Sequence, residues 1–100
     1  MAYGIFWSPI AVQDLREICE FISHDNPVAA QRMGEGLIKQ AETMALFPQS
    51  GCMVPEKQNP LIRKTIVGSY RIIYQVDETK KLVALARIWH SARGTPELLH

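Results

Sequence analysis

The stretch that decides the fold is Ser69–Arg93, with the sequence SYRIIYQVDETKKLVALARIWHSAR. Residues 70–76 and 82–89 are rich in β-branched, aromatic and other apolar side chains, and Asp77–Lys80 between them are typical of a turn. The pattern predicts a β-hairpin. A strand that buries one face tolerates a charge only where it faces water or a partner, so the hairpin is either a half-exposed sheet or the floor of a binding site. The basic residues and histidine that lie among its apolar residues are Arg71, Arg87, His90 and Arg93.

Two helices are predicted upstream of the hairpin, each from a capping residue followed by proline. After a short strand at Tyr3–Trp7, Ser8-Pro9 opens a helix whose apolar side chains recur at helical spacing to near His24. Asn26-Pro27 opens a second helix, which Pro48 ends. The short connection between them predicts an antiparallel helical hairpin.

The rest of the chain completes an α+β fold with the element order β-α-α-β-β-β. Residues 48–60 are predicted to be a loop, and strands over 63–67, 70–76 and 81–90 to form an antiparallel meander. The helical hairpin then packs on one face of a small antiparallel sheet. Residues 94–100 follow a Gly-Thr-Pro break and are expected to be a loose tail.

The composition predicts one cytoplasmic domain over residues 1–100. The apolar content of 47% is that of a globular chain, and no apolar run approaches the roughly 20 residues that span a bilayer. The N-terminus lacks the basic and apolar regions of a signal peptide. Cys19 and Cys52 are the only cysteines and form no metal-binding motif. We therefore expect no membrane partner, no metal site and no cofactor.

The net charge of +1 conceals an asymmetry between the two halves of the chain. Residues 1–50 carry three basic and six acidic side chains, whereas residues 51–100 carry eight basic and four acidic ones. The helical half is therefore acidic and the sheet half basic. A basic face attracts phosphate backbones or an acidic protein segment, although such an imbalance is also common in small domains.

Five segments of the chain follow one another in an order and spacing that together are fairly specific. They are Trp7-Ser8-Pro9 with Asp14-Leu15, Asp25-Asn26-Pro27 with Ala29-Ala30, Phe47-Pro48 with Gly51, Val67–Asp77, and Ala86–Arg93. Together they resemble the RelE/ParE superfamily of toxins from type II toxin–antitoxin systems, over nearly the whole chain. The resemblance implies a small bacterial toxin that a cognate antitoxin holds inactive. It also implies that operator DNA is contacted only through the antitoxin.

The resemblance leaves the mechanism of the toxin open. ParE-like members poison DNA gyrase and are not nucleases, whereas RelE-like members cleave messenger RNA on the ribosome. The modest net charge and the long second helix favour a ParE-like toxin that inhibits growth, and a RelE-like ribosome-dependent mRNA endoribonuclease is the alternative. A third interpretation is a family member that only binds its antitoxin. Whether the chain is an enzyme depends on this choice.

The candidate site residues follow from the resemblance. If the toxin is a nuclease, Arg71 stabilises the phosphate, His90 is the general acid and Glu56 the general base. Each of these also has an interpretation as a structural or surface residue, and His90 occurs in gyrase poisons as well. The residues expected to hold RNA or the antitoxin are Arg63, Lys64, Arg87 and Arg93. We expect a basic sheet face around Arg63, Arg71, Arg87 and Arg93 to receive an acidic segment of the antitoxin.

The register of the hairpin decides which of these side chains share a face. If the turn pairs Val76 with Lys81, then Arg71 lies opposite Ala86 and on the same face as His90. A one-residue bulge between them would reverse that relation.

Overall fold

The computed structural model describes residues 2–54 and 61–90, in which two helices cover one face of a five-stranded sheet. The strands lie side by side in the order β1-β5-β4-β3-β2. Glu56, Arg93 and residues 94–100 lie outside the described residues. The helices are α1 (Pro9–Ser23) and α2 (Pro27–Leu46), and the strands are β1 (Gly4–Trp7), β2 (Cys52–Met53), β3 (Ile62–Val67), β4 (Tyr70–Asp77) and β5 (Leu82–His90).

The two predicted helix starts are confirmed. The Ser8 Oγ accepts a hydrogen bond from the Ala11 amide at 3.0 Å, and the Asn26 Oδ1 accepts one from the Ala29 amide at 3.1 Å. Each cap satisfies one amide that has no partner within its helix. Proline at the first helical position follows each cap. The α+β fold with a helical hairpin on one face of the sheet is thus as predicted.

The sheet is mixed, so the prediction of a purely antiparallel sheet is wrong for one pair of strands. β1 runs parallel to β5, with Gly4 opposite Leu82 and Trp7 opposite Leu85. The helical hairpin carries the chain across the sheet, and the meander β3-β4-β5 then returns its last strand beside the first in the same direction. The two residues of β2 were expected in a loop, because a strand this short has no periodic pattern.

The main core lies between the helices and the inner face of the sheet. Tyr74, Leu37 and Met44 are its largest fully buried side chains. A smaller cluster of Val54, Ile62 and Ile73 lies on the opposite, outer face of the sheet. Neither helix in the described ranges is long and apolar enough to cross a membrane. The sheet side chains of the main core are Ile72, Tyr74, Val76, Val83, Leu85 and Ile88.

The β4–β5 hairpin is shifted by two residues from the register considered in the sequence analysis, in which Val76 would pair with Lys81. Val76 pairs with Val83 rather than with Lys81, because Lys81 has a left-handed backbone with φ of 54° and belongs to the turn. The Asp77 Oδ1 accepts a hydrogen bond from the Lys80 amide at 3.0 Å, which stabilises that turn.

A β-bulge at Ala86 changes the face that the end of β5 presents. Tyr74 pairs with Leu85 but Ile73 pairs with Arg87, which leaves Ala86 without an opposite residue. The Ser8 Oγ donates to the Ala86 carbonyl at 3.1 Å, so the start of α1 contacts the bulge. Beyond it, every side chain of β5 points to the face opposite to the one that an unbroken strand would give.

Candidate binding site at the end of the last strand

A groove of about 530 Å³ runs between α1 and the adjoining ends of β4 and β5. Phe21 stands at this groove with 72% of its surface exposed. The groove therefore combines an exposed aromatic ring with both acidic and basic groups. Its lining residues are Asp14, Glu17, Ile18, Phe21, Tyr70, Arg87, Ile88, Trp89 and His90.

The central contact of the groove is an ion pair between Asp14 and Arg87. The Arg87 Nε donates to the Asp14 Oδ2 at 2.8 Å, and the Arg87 Nη2 donates to the Asp14 Oδ1 at 3.1 Å. The Ile88 amide donates to the same Oδ2 at 3.0 Å. Asp14 is the only charged side chain that is buried among the described residues. Arg87, predicted to hold RNA or antitoxin, is therefore neutralised within the chain.

The position of Asp14 follows from how β5 is paired. β1 pairs with β5 only as far as Leu85, so the Ile88 amide lies beyond the end of β1. α1 brings a carboxylate to that amide, and a buried N–H must have a partner. Asp14 is not among the site residues predicted from the sequence. The signal was present, because Asp14 lies at helical spacing between the buried Ala11 and Ile18.

Two aromatic contacts flank the ion pair. The Arg87 guanidinium lies over the Trp89 ring, 4.7 Å from its centroid. This cation–π contact helps to hold Arg87 in its orientation towards Asp14. The His90 ring meets the Tyr70 ring edge to face, with centroids 5.1 Å apart and planes at 88°. The imidazole of His90, a candidate site residue from the sequence, thus lies in the groove beside an aromatic ring.

Arg71 and His90 belong to opposite faces of the sheet. Arg71 pairs with Trp89, and Tyr70 pairs with His90. Paired residues share a face and successive residues alternate, so the register does not bring Arg71 and His90 together. The bulge at Ala86 thus has the effect considered from the sequence, because it reverses the shared face that an unbroken strand would give. The catalytic roles assigned to Arg71, His90 and Glu56 stay predictions.

The basic residues of β3 are also divided between the two faces. Arg63 pairs with Tyr74 and belongs to the inner face, whereas Lys64 pairs with Ile73 and belongs to the outer face, which Arg71 shares. The prediction of one basic face that includes both Arg63 and Arg71 is therefore wrong.

Arg63 holds the segment that leads into β2. Its Nη1 donates to the Gly51 carbonyl at 2.8 Å and to the Gln49 carbonyl at 3.4 Å. The Tyr74 hydroxyl accepts from the Gly51 amide at 3.0 Å and donates to the Pro48 carbonyl at 3.2 Å. Burial raises the pKa of the Tyr74 hydroxyl above its ordinary value of 10.0.

Among the described residues, no group of three or more side chains is suited to hold a metal ion.

The chain matches known toxins over most of its length. Residues 5–94 match the family model of the ParE toxin of the type II toxin–antitoxin system parDE. Toxin RelE2 of Caulobacter vibrioides is 34% identical over 89 residues, which cover 89% of this chain and 96% of that toxin.

Solved structures share the fold at lower sequence identity. The chromosomal ParDE system of P. aeruginosa superimposes with a TM-score of 0.71 and 17% identity, over 89% of this chain and 96% of the other. A mutant of the E. coli toxin RelE in the free state gives 0.70 and 20%, over 94% and 88%. The family match, the relative and the shared fold agree. The chain therefore belongs to the RelE/ParE superfamily and is a toxin of a type II toxin–antitoxin system.

Proposed function

We propose that this toxin is ParE-like and inhibits growth by binding a protein target in the cytoplasm, with DNA gyrase as the target that the family resemblance suggests. The observation that carries the proposal is the Asp14–Arg87 pair. An arginine whose Nε and Nη2 already make a bidentate contact with a carboxylate, at 2.8 and 3.1 Å, offers a phosphate no uncompensated charge and only its remaining N–H donors.

The separation of Arg71 from His90 supports the same proposal. Cleavage of RNA by its own 2′-hydroxyl requires a base, an acid and a cation that converge on one phosphate. Two of the three candidate groups lie on opposite faces of the sheet in this chain. A protein-binding toxin has no such requirement.

The alternative, a RelE-like mRNA endoribonuclease, is favoured by one feature of the outer face. Lys64, Arg71 and Trp89 all belong to this face by the register of β3, β4 and β5. Cations beside an aromatic ring are a common arrangement for binding single-stranded nucleic acid. In this alternative Arg71, His90 and Glu56 keep the catalytic roles proposed from the sequence.

The test is to induce the toxin without its antitoxin and to follow messenger RNA integrity and DNA supercoiling together. We expect intact RNA and DNA breaks that depend on gyrase, and we expect Arg71→Ala/His90→Ala to retain toxicity. Rapid ribosome-dependent cleavage of RNA that is lost in this variant would instead establish the endoribonuclease.

We also propose that the cognate antitoxin neutralises the toxin by placing an apolar segment in the groove beside Phe21. An aromatic ring with 72% of its surface exposed is a typical anchor for a protein partner. Phe21→Lys should weaken antitoxin binding by at least about tenfold, as expected for a loss above 1.4 kcal/mol. Phe47→Lys is the matched control, because Phe47 is 62% exposed and does not line the groove. Equal affinities of the two variants would contradict this docking site.

A further inference from the structure

Three hydrogen-bond donors converge on the carboxylate of Asp14. Two come from the guanidinium of Arg87 and one from the Ile88 amide, all within 3.1 Å of a carboxylate oxygen. A guanidinium fork combined with a backbone amide is also a set of donors with which proteins hold phosphate. The end of β5 is thus built as an anion site, and the anion present is part of the chain.

This anion site borders open space. Asp14 and Arg87 both line the groove, and their side chains are 10% and 25% exposed. A phosphate group that entered the groove would meet the guanidinium of Arg87 with its Nε and Nη2 already bonded to Asp14. It would also meet the negative charge of Asp14 and that of Glu17, one turn further along α1 and in the same groove.

We propose that Asp14 is a specificity determinant that excludes phosphate groups, and hence nucleic acid, from the groove. Its carboxylate occupies the anion site formed by Arg87 and the Ile88 amide. With the charge of Arg87 balanced by Asp14, Glu17 is the remaining carboxylate among the described residues that line the groove. The groove therefore favours partner segments without phosphate or carboxylate groups. The inference holds whichever target the toxin has, because it concerns only this groove.

The test replaces Asp14 with alanine and measures phosphate binding. Alanine has the highest helix propensity, so Asp14→Ala removes the carboxylate without lowering the helix propensity of α1. The probe is inorganic phosphate, titrated at constant ionic strength and followed through the amide signals of Arg87 and Ile88. We expect Asp14→Ala to bind phosphate at least about tenfold more tightly than the wild type, the gain of one charged hydrogen bond.

A short single-stranded RNA serves as the second probe. If Asp14→Ala gains one phosphate contact, its RNA affinity should fall more steeply with salt than that of the wild type. The expected increase in the slope of log K against log salt is about 0.7. An unchanged slope would overturn the proposal for nucleic acid.

Two further variants separate the anion site from simple charge. Glu17→Gln also removes one negative charge from the groove but leaves the Asp14–Arg87 pair in place. We expect it to gain less phosphate affinity than Asp14→Ala does, because Glu17 repels phosphate without occupying the anion site. A gain equal to that of Asp14→Ala would overturn the proposal. Asp14→Ala/Arg87→Met should lose the gain, and retention of it would equally place the bound phosphate elsewhere.

The experiment stays decisive if Asp14→Ala does not fold unaided. The same titration is then run as a refolding experiment, because an anion that binds only the folded state favours folding. We expect phosphate to restore the folded spectrum of Asp14→Ala and to leave the spectrum of the double variant unchanged. Failure of phosphate to refold Asp14→Ala would overturn the proposal.

Discussion

Arg63 and Arg87 lie on the two strands that flank β4, paired with its adjacent residues Tyr74 and Ile73, yet they are held in different ways. Arg87 forms an ion pair with a buried carboxylate, which balances its charge. Arg63 is bonded to two backbone carbonyls and keeps its charge. The pair on β5 is therefore a neutral unit, whereas the contact on β3 anchors a loop with a cation.

The difference shows that a formal count of basic residues does not measure the positive charge that a partner meets. Both arginines are predicted to bind a partner, and both have contacts within the chain. The difference also predicts which of the two sites loses more stability when a side chain is replaced. A buried carboxylate and a cation that depend on each other are costly to separate, whereas carbonyls near the surface can exchange arginine for water.

The largest effect is expected for Asp14→Ala. The substitution leaves the partly buried Arg87 guanidinium and the Ile88 amide without their shared acceptor. We expect a loss of about 2–4 kcal/mol in the free energy of unfolding, measured by urea denaturation. Glu17→Ala is the control, since this exposed residue of the same helix should change stability by no more than about 0.5 kcal/mol. A loss below 1 kcal/mol, roughly the worth of an exposed ion pair, would contradict the structural importance of the buried pair.

On the Arg63 side the largest effect is expected for Gly51→Ala. A Cβ at this position would lie 2.7 Å from the Lys64 carbonyl oxygen and would also overlap the Tyr74 hydroxyl. Both neighbours are fixed, one as strand backbone and the other as a buried ring, so the segment must shift. Overpacking of this kind typically costs about 1–3 kcal/mol.

Gly36→Ala is the matched control for Gly51→Ala. A Cβ at Gly36 would meet only the Val67 Cγ1, at 3.8 Å, which is an ordinary contact. Because Gly36 lies inside α2, alanine should stabilise the protein by up to about 1 kcal/mol through helix propensity. If both variants were equally unstable, the loss in Gly51→Ala would not reflect crowding at that site.

The parts of the fold that depend on neighbouring residues were predictable. The caps at Ser8 and Asn26 act within three residues, and the hairpin of β4 and β5 follows from two apolar runs around a polar turn. The α+β class then follows from the order of the elements. These features are determined by residues close together in the sequence, so a single sequence is enough to predict them.

The features that position the site depend on contacts distant in the sequence. The bulge at Ala86 is contacted by Ser8, and Arg87 is held by Asp14, 73 residues away. A single unmatched residue moved Arg71 and His90 to opposite faces, and nothing in the local pattern marks it. The parallel pairing of β1 with β5 likewise depends on where the helical hairpin returns the chain. Candidate residues were therefore identified by type, but their grouping required the structure.

A smaller effect is expected for Tyr74→Phe. The change leaves the Gly51 amide and the Pro48 carbonyl without their hydroxyl partner in a part-buried segment. We expect a loss of about 1–2 kcal/mol in the free energy of unfolding. Hydrogen exchange of the Gly51 amide should become faster at the same time. The amides of β5 should keep the ranking of exchange rates that they have in the wild type. Unchanged exchange at Gly51 would exclude this anchoring role.

Tyr74 also predicts a dependence on alkaline pH. Because its pKa is raised in the folded protein, the unfolded chain loses the phenolic proton first as the pH rises through 10.0. The unfolded state is then favoured, so the contribution of Tyr74 is complete below that pH and is lost as the pH rises towards the folded pKa. The stability advantage of the wild type over Tyr74→Phe should therefore be smaller at about pH 11 than at about pH 8. A constant difference would contradict the raised pKa.

The smallest effect, and the most direct test of the difference between the two arginines, is expected for Arg63→Met. The Gln49 carbonyl belongs to an exposed residue and that of Gly51 to a half-buried one, so water can replace the guanidinium at a cost of about 1 kcal/mol or less. Arg87→Met removes the counter-charge of a carboxylate whose side chain is only 10% exposed and should cost at least about 1 kcal/mol more. Both substitutions keep a long side chain and remove one positive charge, so the difference in unfolding free energy isolates the buried carboxylate. If Arg63→Met lowered the free energy of unfolding more than Arg87→Met, the comparison would be reversed. The contact between Arg63 and the loop carbonyls would then stabilise the sheet more than the Asp14–Arg87 pair does.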